Sequence, residues 1–224
     1  TGTLNVLLAS KTYDIDKIVH VSSSEVYGTA RYTPMDENHP LQPQSPYAAS
    51  KVGADALALS FYHSYKLPVV IARPFNVYGP RQSARGFISS VLAQVIVSKI
   101  VKVGNTDVTR DYTYVSDTVD GLIKISQSGL VGEVVNIGSG REISLNELIQ
   151  KCVDTRNGEM ANFEVVRDET RVRSGEVERL FCDNKKAKSR CGWYPQVSLE
   201  EGLYETEQWI WNNLVWYHPE EYVR

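Results

Sequence analysis

At 224 residues, 42% hydrophobic and 23% charged, the chain is long enough for one large domain or one and a half small ones and is globular in composition. A formal net charge of -3 argues against nucleic acid or an anionic membrane surface as a bulk partner. No apolar run is long enough to span a bilayer. The cysteines Cys152, Cys182 and Cys191 are odd in number and show no paired metal-ligand spacing, which fits reduced thiols in a cytoplasm. The histidines at 20, 39, 63 and 218 are scattered and read as structural or exposed, so no metal is expected. The first residue is Thr1 rather than methionine, so a segment upstream is expected.

In chain order, the opening TGTLNVLLAS reads as a helix with Leu4, Leu7 and Leu8 along one face. Residues 17–21 form a short apolar strand that runs into a serine cluster, and 29–45 is a polar loop. A long helix is expected from Tyr47 to about Lys66, with Pro46 at its start. The continuous apolar run 68–72 reads as a parallel strand buried on both faces. Strand, helix and strand make a βαβ unit and imply a doubly wound α/β sheet. Beyond residue 80 come a helix near 86–98, a strand at 100–103 and an extended stretch at 110–115. Ser116 should then cap a helix that stops at Gly129. Residues 133–137 read as a third strand of the sheet. Ser144 with Glu147, and Ser198 with Glu201, fit capping boxes ahead of two further helices.

Chemistry concentrates in two places. Tyr47 and Lys51, four apart on a helix, share one face, so phenol and ammonium converge. A free tyrosine titrates near pH 10, about three units too high for a base at neutral pH, and a fixed positive charge beside it favours the phenolate. The spacing alone is weak evidence, because Tyr13/Lys17 and Tyr62/Lys66 repeat it. Position singles out Tyr47: it starts a helix downstream of a strand that ends in Ser22-Ser23-Ser24-Glu25. Ligands of open parallel sheets bind at such strand ends. Serine hydroxyls there can donate to a substrate oxygen, and a carboxylate at Glu25 is costly unless it is used or paired. A turn cap or a surface ion pair is the alternative for Glu25.

The serine run, Tyr47/Lys51, Arg73-Pro-Phe-Asn-Val-Tyr-Gly-Pro-Arg-Gln82, Arg110-Asp-Tyr-Thr-Tyr-Val-Ser-Asp117, Asn136-Ile-Gly-Ser-Gly140 and Gly192-Trp-Tyr-Pro195 occur in order. Together they resemble the extended short-chain dehydrogenase/reductase family of nucleotide-sugar epimerases and dehydratases, over essentially the whole chain. The resemblance implies a Rossmann-type sheet with a smaller mixed lobe. Residues 1–80 and the strand 133–137 would belong to the dinucleotide-binding part, and 81–224 mainly to the substrate lobe. It implies NAD as cofactor, met by Ser22, Ser23, Tyr47, Lys51 and Pro74. Ser23 would hydrogen-bond the hydroxyl being oxidised and Tyr47 would be the base. Asn76, Arg81, Val103, Arg110 and Arg173 would meet the nucleotide-sugar, a surface ion pair being the alternative for the last two. A homodimer is implied through helices 1–10 and 47–66, in the manner of a four-helix bundle.

In one respect the chain departs from the family. The strand, glycine-rich turn and helix that cradle the cofactor pyrophosphate have no counterpart in these residues, because Gly138-Ser-Gly140 follows a late strand. The strand at 18–21 should then have an open apolar edge. Among reactions, the Ser24-Glu25 pair resembles 4,6-dehydratases, with Glu25 as the base at C5 and Ser24 where some relatives carry aspartate. The expected reaction is therefore oxidation at C4, elimination of water across C5 and C6, and reduction at C6. The overall likeness is to UDP-N-acetylglucosamine 4,6-dehydratases of the legionaminic-acid type, which make surface-sugar precursors. A 4-epimerase, a UDP-glucuronate decarboxylase, or a catalytically incomplete fragment that only binds nucleotide-sugar or a partner remain the alternatives.

Overall fold

The computed structural model describes residues 1–156, 163–172 and 175–218. Helix α1 (Gly2–Thr12) leads into strand β1 (Ile18–Val21), followed by a 3-10 turn at Ser24–Tyr27. Helix α2 (Pro46–Tyr65) starts with Pro46 in its first turn, and the Ser45 hydroxyl accepts from the Ala48 amide. Strand β2 (Val69–Pro74) runs two residues past the expected end, and β3 (Asn76–Tyr78) follows at once. The remaining elements are α3 (Phe87–Val97), β4 (Ile100–Val103), β5 (Thr109–Arg110), β6 (Tyr112–Tyr114), α4 (Val115–Gln127), β7 (Val134–Ile137), β8 (Ile143–Ser144), α5 (Leu145–Asp154), β9 (Glu164–Arg167), α6 (Lys185–Cys191) and α7 (Leu199–Asn212).

The main sheet has the order β1-β2-β7, all parallel. Side chains alternate across β2. Val69 and Ile71 pack with Leu7, Ala58 and Phe61 under α1 and α2, whereas Val70 and Ala72 pack with Ile125, Ala187 and Trp193 under α4 and α6. The two helical layers bury the sheet on both faces, which is why residues 69–72 are uniformly apolar or small. Among the described residues β1 pairs on one side only, and Val21 on that edge is exposed. A second core joins α3, α5, α7 and β4 in the C-terminal lobe. There β4 pairs with β9, while β3 pairs with β6 across the junction between the lobe and the sheet. No helix among the described residues is long and apolar enough to cross a membrane.

The capping expectations divide. Ser198 and Glu201 form the complete reciprocal box. Ser144 accepts from the Glu147 amide, which is half of one. Ser116 is not a cap: α4 starts two residues earlier than that cap would set, with Tyr114 at its N-cap, because β6 runs straight into the helix.

Candidate active site

The carboxyl ends of β1 and β2 open onto a cleft of about 410 Å³ lined by Val21 to Glu25, Tyr47, Lys51 and Pro74 to Val77. Ser23, extended after β1, caps the 3-10 turn by accepting from the Glu25 amide at 3.2 Å. The turn ends at Gly28, where φ is +65° and a Cβ would lie 2.2 Å from the Gln42 carbonyl oxygen, so a side chain is excluded. Ser24 is buried and Ser23 half-buried. Tyr47, in the first turn of α2, is 53% exposed, so its ring faces the cleft rather than the core. Lys51 lies one turn on; its Nζ is 5.8 Å from the Tyr47 ring centroid and donates to the Val21 carbonyl at 3.0 Å. Neither of the other two tyrosine–lysine pairs lines the cleft or bonds the end of β1. Lys17 donates to the carbonyls of Ser128 and Leu130, and Lys66 stacks over Tyr62 at the far end of α2.

Glu25, Asn76 and Val77 also line a second cavity of about 260 Å³, which runs into the C-terminal lobe between α3, β4 and β6. Its walls carry Arg85, Lys102, Arg110 and Arg171 against Glu25 and Glu176. Arg110 is 8% exposed; its guanidinium donates to the Thr109 carbonyl at 2.8 Å and stands 4.0 Å from Glu176. Among the described residues, the buried side-chain oxygens Asn76 Oδ1 and Gln82 Oε1 have no hydrogen-bond partner, and both residues line this cavity. Gly104 borders it too; a Cβ there would lie 2.5 Å from the Arg171 carbonyl oxygen, so the backbones of 104 and 171 can approach only with glycine.

Of the residues expected from sequence, the structure brings Ser22, Ser23, Ser24, Glu25, Tyr47, Lys51, Pro74 and Asn76 to the cleft, and Val103 and Arg110 to the cavity. Arg81 does not line the cavity: at φ +67° its guanidinium stacks 5.1 Å over the Trp209 ring of α7, while Gln82 and Arg85 line the wall. Arg173 lies outside the described residues. Arg171 and Glu176 are cavity residues that the sequence does not single out: the β4–β9 pairing brings residue 171 against residues 102–104, and the bond of Thr109 to the Glu178 carbonyl brings in Glu176.

The scan against family models matches GDP-mannose 4,6 dehydratase over residues 1–206. The chain belongs to this family. In it, a dTDP-glucose 4,6-dehydratase of Actinoplanes is 35% identical over 217 residues, 96% of this chain and 67% of that protein. A dTDP-glucose 4,6-dehydratase of Bacillus anthracis in complex with NAD superposes with a TM-score of 0.87 at 33% identity, over 98% of this chain and 70% of that one. A UDP-glucose 4-epimerase of Thermotoga maritima with UDP-glucose gives 0.87 at 30% identity, over 95% and 69%. The chain thus spans about two thirds of the length of these relatives. Family membership and superposition establish the Rossmann-type α/β fold and place the chain among NAD-dependent sugar-nucleotide dehydratases and epimerases.

Proposed function

We propose that the protein is an NAD-dependent nucleotide-sugar 4,6-dehydratase acting on a UDP-N-acetylhexosamine. The observation that supports this best is that the two cavities share Glu25, Asn76 and Val77 in their walls. Tyr47, Lys51 and Ser23 face one end, the cationic wall of Arg110, Arg171 and Lys102 faces the other, and Glu25 and Asn76 stand where they meet. A diphosphate held among the arginines would set its sugar between Glu25 and Tyr47. The orphaned oxygens of Asn76 and Gln82 need donors, and sugar hydroxyls or an amide supply them.

The cleft residues fit the nicotinamide riboside end of the cofactor: Lys51 and Tyr47 offer polar groups at the carboxyl end of a parallel sheet, as dinucleotide sites require. The loop Gly138–Gly140 does not fit its pyrophosphate. The Ser139 and Gly140 amides are already bonded to Asp111 at 2.8 and 2.9 Å. When bound, NAD would take a hydride from C4 of the sugar and return it at C6.

The chain's own residues do the rest. Ser23 orients the C4 hydroxyl while Tyr47 removes its proton, and the C4 carbon becomes a ketone. That ketone acidifies the C5 hydrogen, which the Glu25 carboxylate removes. Hydroxide leaves C6 with the proton that Glu25 took, passed directly or through water beside Ser24, so one water is lost. As C6 is reduced, C5 takes a proton from solvent by way of Glu25, and Tyr47 returns to solvent the proton it removed. Residues 1–80 with β7 form the cofactor side and 81–224 mainly the substrate side. Helices α1 and α2 pair with those of a second copy; Val6 and Leu8 on α1 are exposed.

Product mass tests the reading. The protein is incubated with NAD and a UDP-N-acetylhexosamine. A product lighter by one water supports it. Unchanged mass with inverted C4 makes the protein an epimerase, and loss of carbon dioxide from a UDP-uronate makes it a decarboxylase. Sedimentation showing only monomer at micromolar concentration would sink the dimer.

A further inference from the structure

Positions 47, 51 and 55 fall four apart on α2 and share one face. The third of them, Asp55, is 2% exposed and sits where α2 meets β1 and β2. Its Oδ2 accepts from Nε and Nη2 of Arg73 at 3.0 and 2.9 Å. Its Oδ1 faces Nε2 of His20, on β1, at 3.2 Å, and the buried Ser22 hydroxyl stands by the same carboxylate without an aligned partner of its own. Arg73 continues the chain: Nη1 donates to the Tyr27 hydroxyl at 3.0 Å, which donates to Asn136 Oδ1 at 2.7 Å. Asn136 in turn donates to the Met35 carbonyl.

Each end of this network adjoins a segment that presents a reacting side chain. Asp55 is on the helix of Tyr47 and Lys51, Ser22 precedes Ser23, and Tyr27 shares the 3-10 turn of Glu25. Asp55 itself cannot touch substrate. At about 1.5 Å per residue it lies roughly 6 Å along the helix from Lys51 and 12 Å from Tyr47, under the sheet end. A single buried carboxylate therefore locks the helix to the strand end.

We propose that Asp55 is a positioning residue: held by the two bonds from Arg73 and facing His20, it sets the distance between Tyr47 on α2 and Ser23 and Glu25 at the end of β1. This rests on the dehydratase reading only in assuming that those groups act together on one sugar. Asp55→Glu tests it best, because the charge opposite Arg73 is kept while an added methylene pushes the helix outward. In that variant kcat should fall on the order of 10²-fold with KM for the nucleotide-sugar little changed, as expected for a displacement near 1 Å. Asp55→Asn should lose kcat as well, and His20→Gln, which leaves the Arg73 pair intact, should lose less.

The control is Glu207→Gln, which breaks another buried ion pair, 2.9 Å from Arg156 and remote from the cleft. It should lower the unfolding temperature but leave kcat at the wild-type value below it. A second readout needs no cofactor. Amide exchange at residues 22–25 of the ligand-free protein should quicken in both Asp55 variants and stay unchanged in Glu207→Gln. If both Asp55 variants keep kcat within about twofold of wild type while folded, or residues 22–25 exchange at the wild-type rate, Asp55 is structural only and the proposal is wrong. Rates are read as product formed and, in a single turnover, as the transient reduction of the nicotinamide, the step shared by dehydratases and epimerases. An epimerised product would thus overturn the dehydratase reading and leave this test intact.

Discussion

Lys51 Nζ donates to the carbonyl of Val21, the last residue of β1, at 3.0 Å. This bond ties the helix that carries Tyr47 to the strand that delivers Ser22 and Ser23. The lysine thus has a geometric task in the ligand-free protein as well as an electrostatic one near the phenol. Replacing it with methionine should loosen residues 22–25 as well as slow the reaction, so the loss should exceed that of Lys51→Arg, which retains a donor. Initial rates of nicotinamide reduction compare the two, and equal losses would assign Lys51 a charge role alone.

Tyr47→Phe removes the phenolic oxygen and nothing else from a half-exposed side chain. Folding should be unaffected, and kcat should drop by about 10²–10⁴-fold, the range typical for losing a positioned acid–base group. Tyr62→Phe, in the second tyrosine–lysine pair near the other end of α2, should retain full activity. A matching loss in both would show that the spacing, not the cleft, had been read.

Glu25→Gln separates the two halves of the proposed reaction. Oxidation at C4 requires Tyr47 and Ser23, whereas elimination requires removal of the C5 hydrogen. The variant should still reduce the nicotinamide on mixing with substrate, yet form no dehydrated product and exchange no solvent deuterium into C5. Dehydration near the wild-type rate would remove Glu25 from the role of base.

The two arginines of the substrate prediction should behave differently. Arg110, 8% exposed and in the cavity wall, should raise KM roughly 10- to 100-fold when changed to alanine, about what charge-assisted bonds to a diphosphate are worth. Arg81→Ala should leave KM alone and lose up to about 1 kcal/mol of stability with its stacking on Trp209. Titration of UDP into each variant, beside thermal unfolding, reads both.

These cases show where sequence reading succeeds and stops. Tyr47, Lys51 and the serine run are local: helix periodicity and a strand end place them, so they were legible. The main-sheet strands were legible as well, because both-face burial leaves an unbroken apolar run at 69–72. The stacking of Arg81 on Trp209, from a backbone at φ +67°, has no mark in the local sequence. Arg171 depends on the pairing of β4 with β9 across some sixty positions, and Glu176 on the contact of 178–179 with Thr109, which no local pattern encodes. The bonding of Asp55 to Arg73 belongs to the same class: a polar residue inside an alanine-rich helix is a signal, but its partner is not named by it.

Asp111, between Arg110 and Tyr112 of the cavity wall, offers a test by pH. It is fully buried, and burial pushes its carboxyl up to about 6 although Ser139, Gly140 and Cys182 donate to it. An unfolded aspartate titrates near 4. Between about pH 4 and 6 the folded protein therefore binds more protons at this site than the unfolded chain. The associated stability is fully present below about 4 and is lost as pH rises through about 6, on the order of 2–3 kcal/mol across the window. Asp55 works in the opposite sense. Burial alone would raise it, but His20, Ser22 and Arg73 outweigh burial and hold it below the usual range, so its contribution is present at neutral pH and lost on acidification. Unfolding free energies of wild type and Asp111→Asn, measured from pH 4 to 7, isolate the first effect in their difference. The variant lacks the ionisable group and should be the less stable at pH 4, since amide hydrogens replace acceptors facing four donors. The gap should narrow as pH approaches 7. A gap that stays constant would mean that the four donors keep Asp111 ionised throughout.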